Sequence, residues 1–113
     1  MLGVKVTGFT KAAEFTKHDG GKPRPDLLPP LALMETSAVL EFGARKYAPG
    51  NWRKVEDRQR YMAATLRHLL EYQSGKDADP ESKLHVLAHA ACSLLFLLEC
   101  ELAGLGADTR PGK

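Results

Sequence analysis

From Leu84 to Leu98 the chain reads LHVLAHAACSLLFLL, fifteen residues whose strongly polar positions are His85, His89 and Ser93. Their i, i+4, i+8 spacing puts them on one stripe of a helix, and apolar residues on every other side predict a helix buried all round. An unpaired buried polar group costs ~1–3 kcal/mol, so something must face that stripe. Two readings are open. The histidines are core residues bonded to other side chains, or they form a metal or ligand site, since His at i, i+4 is a chelating spacing.

The pattern elsewhere predicts two more helices. Residues 1–21 hold four glycines and no sustained periodicity, which suggests a loosely held arm with at most a short strand or helical turn around 9–17. GKPRPDLLPP (21–30) carries four prolines and must be extended, and Pro30 suits the first position of a helix. That first helix is expected over about 30–46, ended by the Ala48-Pro49-Gly50-Asn51 turn. A second is expected over about 57–74, with Asp57 near its start and Gly75 past its end. Met62, Leu66, Leu69 and Leu70 form its apolar stripe, and Tyr61, Ala64, Arg67, His68 and Glu71 lie opposite. KDADPESK then leads, with Asp79 or Ser82 as cap, into a third helix over about 81–103 that Gly104 and Gly106 stop. No internal repeat is visible. The expected architecture is one all-α domain, 1–113, with a helical core over 22–103 and a tail over 104–113. Three helices make a thin core, so the antiparallel bundle is expected to be completed by oligomerisation.

Charge narrows the partners. Sixteen basic residues against fourteen acidic leave a net +2, with no strong field to draw nucleic acid or an anionic membrane. The first residues lack a signal-peptide pattern, and the 84–98 run is short, and holds two histidines, for a spanning helix of about 20 residues. Cys92 and Cys100 lie eight apart on one predicted helix, about 12 Å of rise, and cannot bridge each other within it. Two thiols without framework spacing suit a reducing cytoplasm.

His68 and Glu71, at i, i+3, project from one side of the second helix. With His85 and His89 they offer four ligands on two helices that a short link should pack antiparallel, His68 level with His89. The alternative for His68 and Glu71 is a solvated face. Glu41 sits among Ser37, Ala38 and Ala44, which leave room for a ligand; alternatively it is a surface partner of Arg45. Glu35 is a weaker candidate, about 120° round the helix from Glu41. Lys46-Tyr47 and Asn51-Trp52 bracket a turn in which Trp52 is suited to stack on a base, or else to cap the core. Lys22, Arg24 and Asp26 offer similar polar groups from the proline arm, or form an exposed basic linker.

KPRPDLLPP, EFGARKYAPGNW, RHLLEY and DPESKLHVLAHAACSLLFLLE, in this order over roughly 22–100, resemble the N-terminal domain family of the phage dATP/dGTP diphosphohydrolases. Lys46, Tyr47, Asn51, Trp52, Arg67, His68, Asp79, Glu81 and His89 match that pattern. Lys83 and Ser93 stand where Gly and Asn are usual, and His85 where Pro or His is. The resemblance implies a MazG-like, all-α, oligomeric enzyme of the cytoplasm (the host's, for a phage protein) that uses Mg²⁺ or Mn²⁺. Its reaction would cleave a purine deoxynucleoside triphosphate to monophosphate and pyrophosphate. The EExxE and ExxD carboxylate helices of MazG-like enzymes are replaced here by HxxE (His68, Glu71) and HxxxH (His85, His89), and imidazole suits Mn²⁺, Zn²⁺ or Fe better than Mg²⁺.

The expected chemistry is attack of metal-activated water on a phosphoryl group. His68, Glu71, His85 and His89 are assigned to the metal or its water shell, with Glu41 and Asp79 completing it or taking the proton. Lys46 and Arg67 are assigned to phosphates, and Asn51 with Trp52 to the base. The rival reading is a non-enzymatic helical module that keeps its histidines as structural hydrogen-bonders. An HD-type phosphohydrolase ranks low, since no adjacent His-Asp pair lies on a helix.

Overall fold

The computed structural model describes residues 14–113 and is all-helical across them. Expectations for residues 1–13 fall outside this range. Helix α1 spans Pro30–Lys46, α2 Gln59–Gln73 and α3 Val86–Ala103. Short 3-10 turns at Pro25–Leu27 and Asn51–Lys54 precede α1 and α2. Pro30 occupies the first turn of α1, where its missing N–H leaves no hydrogen bond unmade. Asp57 accepts a hydrogen bond from the Gln59 backbone at 2.9 Å and so starts α2 two residues later than expected.

The third helix begins later than its apolar pattern suggested. Residues 79–85 are not helical, because the Asp79 carboxylate takes the backbone N–H groups of Glu81 and Ser82 into a tight turn. Lys83 follows at φ +67°, a left-handed conformation that a helix does not allow. His85, not Asp79 or Ser82, is the N-cap, its Nδ1 accepting from Leu87 N at 3.0 Å. His85 therefore stands just outside the helix that carries His89.

Helix α3 is central, packing against both α1 and α2. Arg58 meets Glu101, His68 faces His89 and Tyr72 faces His85, so α2 and α3 run antiparallel. The core is built from small side chains: Val39 of α1 against Ala88 and Cys92 of α3, with Leu40, Leu84 and Phe96 around them. Such residues let helix axes approach closely.

Two faces differ from the expected arrangement. The Leu66–Leu69–Leu70 stripe of α2 points outward, Leu70 being 68% exposed, while the His68 side, with buried Thr65, packs on α3. Nor is α3 buried all round, since Leu94, Leu95, Leu98 and Leu102 are exposed. The rings of His85, at the α3 cap, and of His89 face Tyr72 and His68 of α2, which leaves the leucines of both helices facing away. Helix α3, with 18 residues and mean hydropathy 1.7, is long and apolar enough by composition to cross a membrane, yet its histidine side is occupied by its neighbour.

The segment after α3 folds back instead of trailing. Ala107 N donates to Glu56 O at 2.8 Å, Arg58 N to Ala107 O, and Thr109 Oγ1 to Asp57 Oδ1. Arg58 adds a bond to Leu105 O at 2.7 Å and an ion pair with Glu101. Gly106 allows this, at φ +73° with the space for a Cβ only 3.0 Å from Val55 O. Gly106→Ala should therefore destabilise by about 1–3 kcal/mol, read as a lower denaturation midpoint. An unchanged midpoint would show that the clamp adds nothing to stability.

Candidate functional site

Where the middle of α2 meets the start of α3, two imidazoles face each other, the rings of His68 and His89 lying 5.1 Å apart. His68 Nδ1 donates to Glu71 Oε1 at 3.0 Å, and Lys76 Nζ reaches Glu71 Oε2 at 3.4 Å. Those donors hold the Glu71 carboxyl below its usual range, the His68 bond contributing most. On the other side, His89 Nε2 and Ser82 Oγ are 2.7 Å apart. Asp79 Oδ2 stands 4.0 Å from the same nitrogen. Burial pushes the Asp79 carboxyl up, but the Ser82 and Glu81 hydrogen bonds outweigh it and leave the group more acidic than usual. Lys46, from the end of α1, pairs with Glu81 at 3.1 Å. Two lysines thus stand at the margins of a cluster made of His68, Glu71, Asp79, Ser82 and His89.

Burial depresses the basicity of His89, and the nearby His68 adds to this against the opposing Asp79 carboxylate. A proton consequently binds the unfolded chain, with a histidine value near 6.5, more readily than the folded one. This contribution to stability is complete above the unfolded value and is lost as pH falls towards the folded one. Melting temperature should drop between pH 7 and pH 5, and His89→Gln should flatten that part of the profile. An unchanged slope in the variant would mean that other groups carry it.

The remaining expected site residues are placed elsewhere. His85 spends Nδ1 on the α3 cap, its ring lies beside Tyr72, and its backbone N–H donates to Glu35 Oε2 at 3.1 Å. Glu41 is on the outer side of α1, bonded to Arg45 at 2.9 Å. The α1 carboxylate that reaches α3 is therefore Glu35, half-buried and one turn ahead of core residue Val39. Arg67 and Asn51 are exposed. Trp52 stacks on Phe96 with ring centres 4.9 Å apart and planes 11° from parallel, and the Arg53 guanidinium lies 4.6 Å from the same ring. Its carbonyl accepts from Tyr61 Oη at 2.8 Å. Trp52 closes the core, and Phe96 sits seven residues, about 10 Å of rise, beyond His89.

Among the described residues, no three His, Cys, Asp or Glu side chains are grouped to hold one metal ion. The four expected ligands are bonded in other ways: His68 to Glu71, Glu71 also to Lys76, His89 to Ser82, and His85 to its own helix cap. Ser82 and Lys76 were not singled out for the site by the sequence, and Glu35 stood there only as a weaker candidate than Glu41. The Asp79-Pro80-Glu81-Ser82 run was a signal for Ser82, because an aspartate that captures the next N–H groups turns the chain back on itself.

An all-helical domain with a histidine–carboxylate cluster between two antiparallel helices is the class that these features define. The family model "dATP/dGTP diphosphohydrolase, N-terminal" matches residues 12–110, and the chain belongs to that family. It is 38% identical over 81 residues to a protein of Salmonella phage PMBT28 named dATP/dGTP diphosphohydrolase. That match covers 72% of this chain but 28% of the relative's length. No solved structure matches the chain.

Proposed function

We propose that this domain serves the hydrolysis of purine deoxynucleoside triphosphates to monophosphates and pyrophosphate, within a MazG-like bundle that further copies complete. Membership of the family, together with the name of the phage relative, is the observation that carries this reading. The cluster supplies suitable chemistry: carboxylates and imidazoles to move protons, with Lys46 and Lys76 at its margins for phosphate charge. Arg67, exposed on α2 beside His68, is a further phosphate contact.

The donor arrangement fits a resident metal ion poorly and fits Mg²⁺ or Mn²⁺ carried in with the triphosphate better. Mg²⁺ is usually held by one or two carboxylates plus substrate phosphates. Asp79 Oδ1 accepts no hydrogen bond among the described residues, whereas Oδ2 takes two, so Asp79 is the carboxylate best placed to receive such an ion. Glu71, oriented by His68 and Lys76, is the second. Glu41 has no part in this arrangement.

The base would lie towards Asn51 and Trp52, across about two turns of α3 from His89, and Arg53 would have to leave the indole to admit it. Stacking there is worth roughly 1–3 kcal/mol. Trp52 is the sole tryptophan of the chain. Its emission should quench saturably with dGTP and dATP in the presence of Mn²⁺, and less with dTTP. No change at millimolar nucleotide would leave Trp52 as a core cap alone.

A second reading, a helical module that binds without turnover, is favoured by one observation: no buried side-chain nitrogen or oxygen lacks a partner among the described residues. Incubation with a panel of nucleoside and deoxynucleoside triphosphates and Mg²⁺ or Mn²⁺, with products separated by chromatography, decides between them. Monophosphate and pyrophosphate from dATP or dGTP support the enzyme; intact nucleotides throughout support the module.

A further inference from the structure

We propose that the proline arm of one copy completes the site of another, with Lys22 and Arg24 reaching across to the triphosphate; this rests on the nucleotide reading above. The first observation is a shortage of positive charge. Glu71, Asp79 and Glu81 stand at the cluster against Lys46 and Lys76, and both lysines are already paired, with Glu81 and Glu71. Three carboxylates against two ammonium groups leave one negative charge with the histidines neutral, and exposed Arg67 only cancels it. A triphosphate carrying one Mg²⁺ still brings about two negative charges, which cations must meet as phosphoryl transfer proceeds. The cluster of one chain has none to spare.

The missing cations sit on a segment that its own chain does not use. Among the described residues, the hydrogen bonds of 19–28 stay inside the segment. Lys22 N donates to Asp19 O, Leu27 N to Arg24 O, Leu28 N to Pro25 O, and the Arg24 guanidinium to Asp26 at 2.8 Å. Leu28 and Pro29 are extended, at ψ 141° and 120°, and lead the arm off the end of α1. The described residues consequently span 59 Å, about twice the ~27 Å length of the 18-residue α3. Yet the arm is suited to being covered. Leu27, Leu31 and Met34 run from the 3-10 turn onto α1 and are 70%, 87% and 70% exposed. Its four prolines keep it extended beforehand, so docking removes little backbone freedom. A second copy supplies both kinds of ground. Leu69 and Leu70 of α2 are exposed and immediately precede Glu71, so apolar and acidic surface adjoin there as they do, with the opposite charge, on the arm. Arg24 lies one turn ahead of Leu27, and leucine contact at that place sets its guanidinium beside the cluster. Its exposed pair with Asp26 is weak enough to give way to a bidentate phosphate contact.

The test needs two different chains. Lys22→Ala with Arg24→Ala should lower kcat/KM for dATP or dGTP by at least roughly a hundredfold, with helical circular dichroism unchanged. Asp79→Asn supplies a chain whose defect is in the cluster. Refolded together one to one, the two should regain about a quarter of the wild-type turnover, since half the clusters are intact and half of those meet an intact arm. A mixture as inactive as its components would place arm and cluster in one chain and overturn the proposal. An arm variant with more than half the wild-type turnover would overturn it as well. The second measurement needs no nucleotide. Cys92 and Cys100 are buried, so a benzophenone maleimide on Asp26→Cys labels the arm alone. Isotopically heavy chains carrying that label, mixed with light unlabelled ones and irradiated, should cross-link to light peptides from residues 67–82. Cross-links that never reach the light chain overturn the proposal whatever the turnover. Light-chain cross-links in a protein that hydrolyses no nucleotide would sustain the exchanged arm and refute the nucleotide reading instead.

Discussion

Asp79→Ala is expected to lower stability by about 2–4 kcal/mol and to reduce nucleotide hydrolysis at least a hundredfold, with Asp79→Asn separating the two effects. The Asp79 carboxylate accepts from Glu81 N at 3.0 Å and Ser82 N at 2.8 Å, and hydrogen bonds to a charged group contribute ~1.5–3 kcal/mol each. Alanine removes both, so the turn that carries Ser82 and ends at the His85 cap loses its closure. Asparagine keeps an acceptor oxygen, and at least half of the lost stability should return. It lacks the negative charge beside His89 and the oxygen suited to an arriving Mg²⁺, and hydrolysis should stay below a hundredth of the wild-type rate. Denaturant unfolding and chromatography of the products measure the two quantities separately. An asparagine variant that hydrolyses nucleotide like the wild type would reduce Asp79 to a turn cap.

This double duty of Asp79 also marks where sequence reading stopped. Helix α1 was legible to the residue, because Pro30 at one end and the Ala48–Asn51 turn at the other are signals of local backbone chemistry. The start of α3 was not. Apolar periodicity continues smoothly through Leu84, and only the capture of two N–H groups by Asp79 shows that the helix begins at Val86. The meeting of His68 with His89 was legible, since a short link forces antiparallel packing and residue 68 then comes level with 89. His85 was expected beside them and is not, for the same reason that α3 starts late: outside the helix, it no longer shares a stripe with His89. The preference for Glu41 over Glu35 on α1 failed because small neighbours describe open space, not which way the helix faces. Here the buried positions Thr36 and Val39 turn Glu35 towards α3 and leave Glu41 outside.

The outward leucines lead to the second large effect. An apolar stripe normally identifies the inner face of a helix, yet on α2 that stripe is exposed, Leu66 at 50% and Leu70 at 68%. Leu94, Leu98 and Leu102 of α3 are exposed as well, and a groove lined by Met62, Leu94, Leu97 and Leu98 runs between the helices. Full burial of one leucine is worth ~1.5–3 kcal/mol, so covering even a few offsets much of the cost of association. A second copy is the expected cover. Light scattering of the wild-type chain at micromolar concentration should return a multiple of 12.4 kDa. Leu66→Glu with Leu98→Glu should return the single-chain mass with α-helical circular dichroism retained, because neither side chain belongs to the Val39–Ala88–Cys92 core. A wild-type mass of one chain would sink the assembly. Retention of the multimer by the double variant would move the interface off this face, and the exposed Leu31 and Met34 of α1 would be the next to replace.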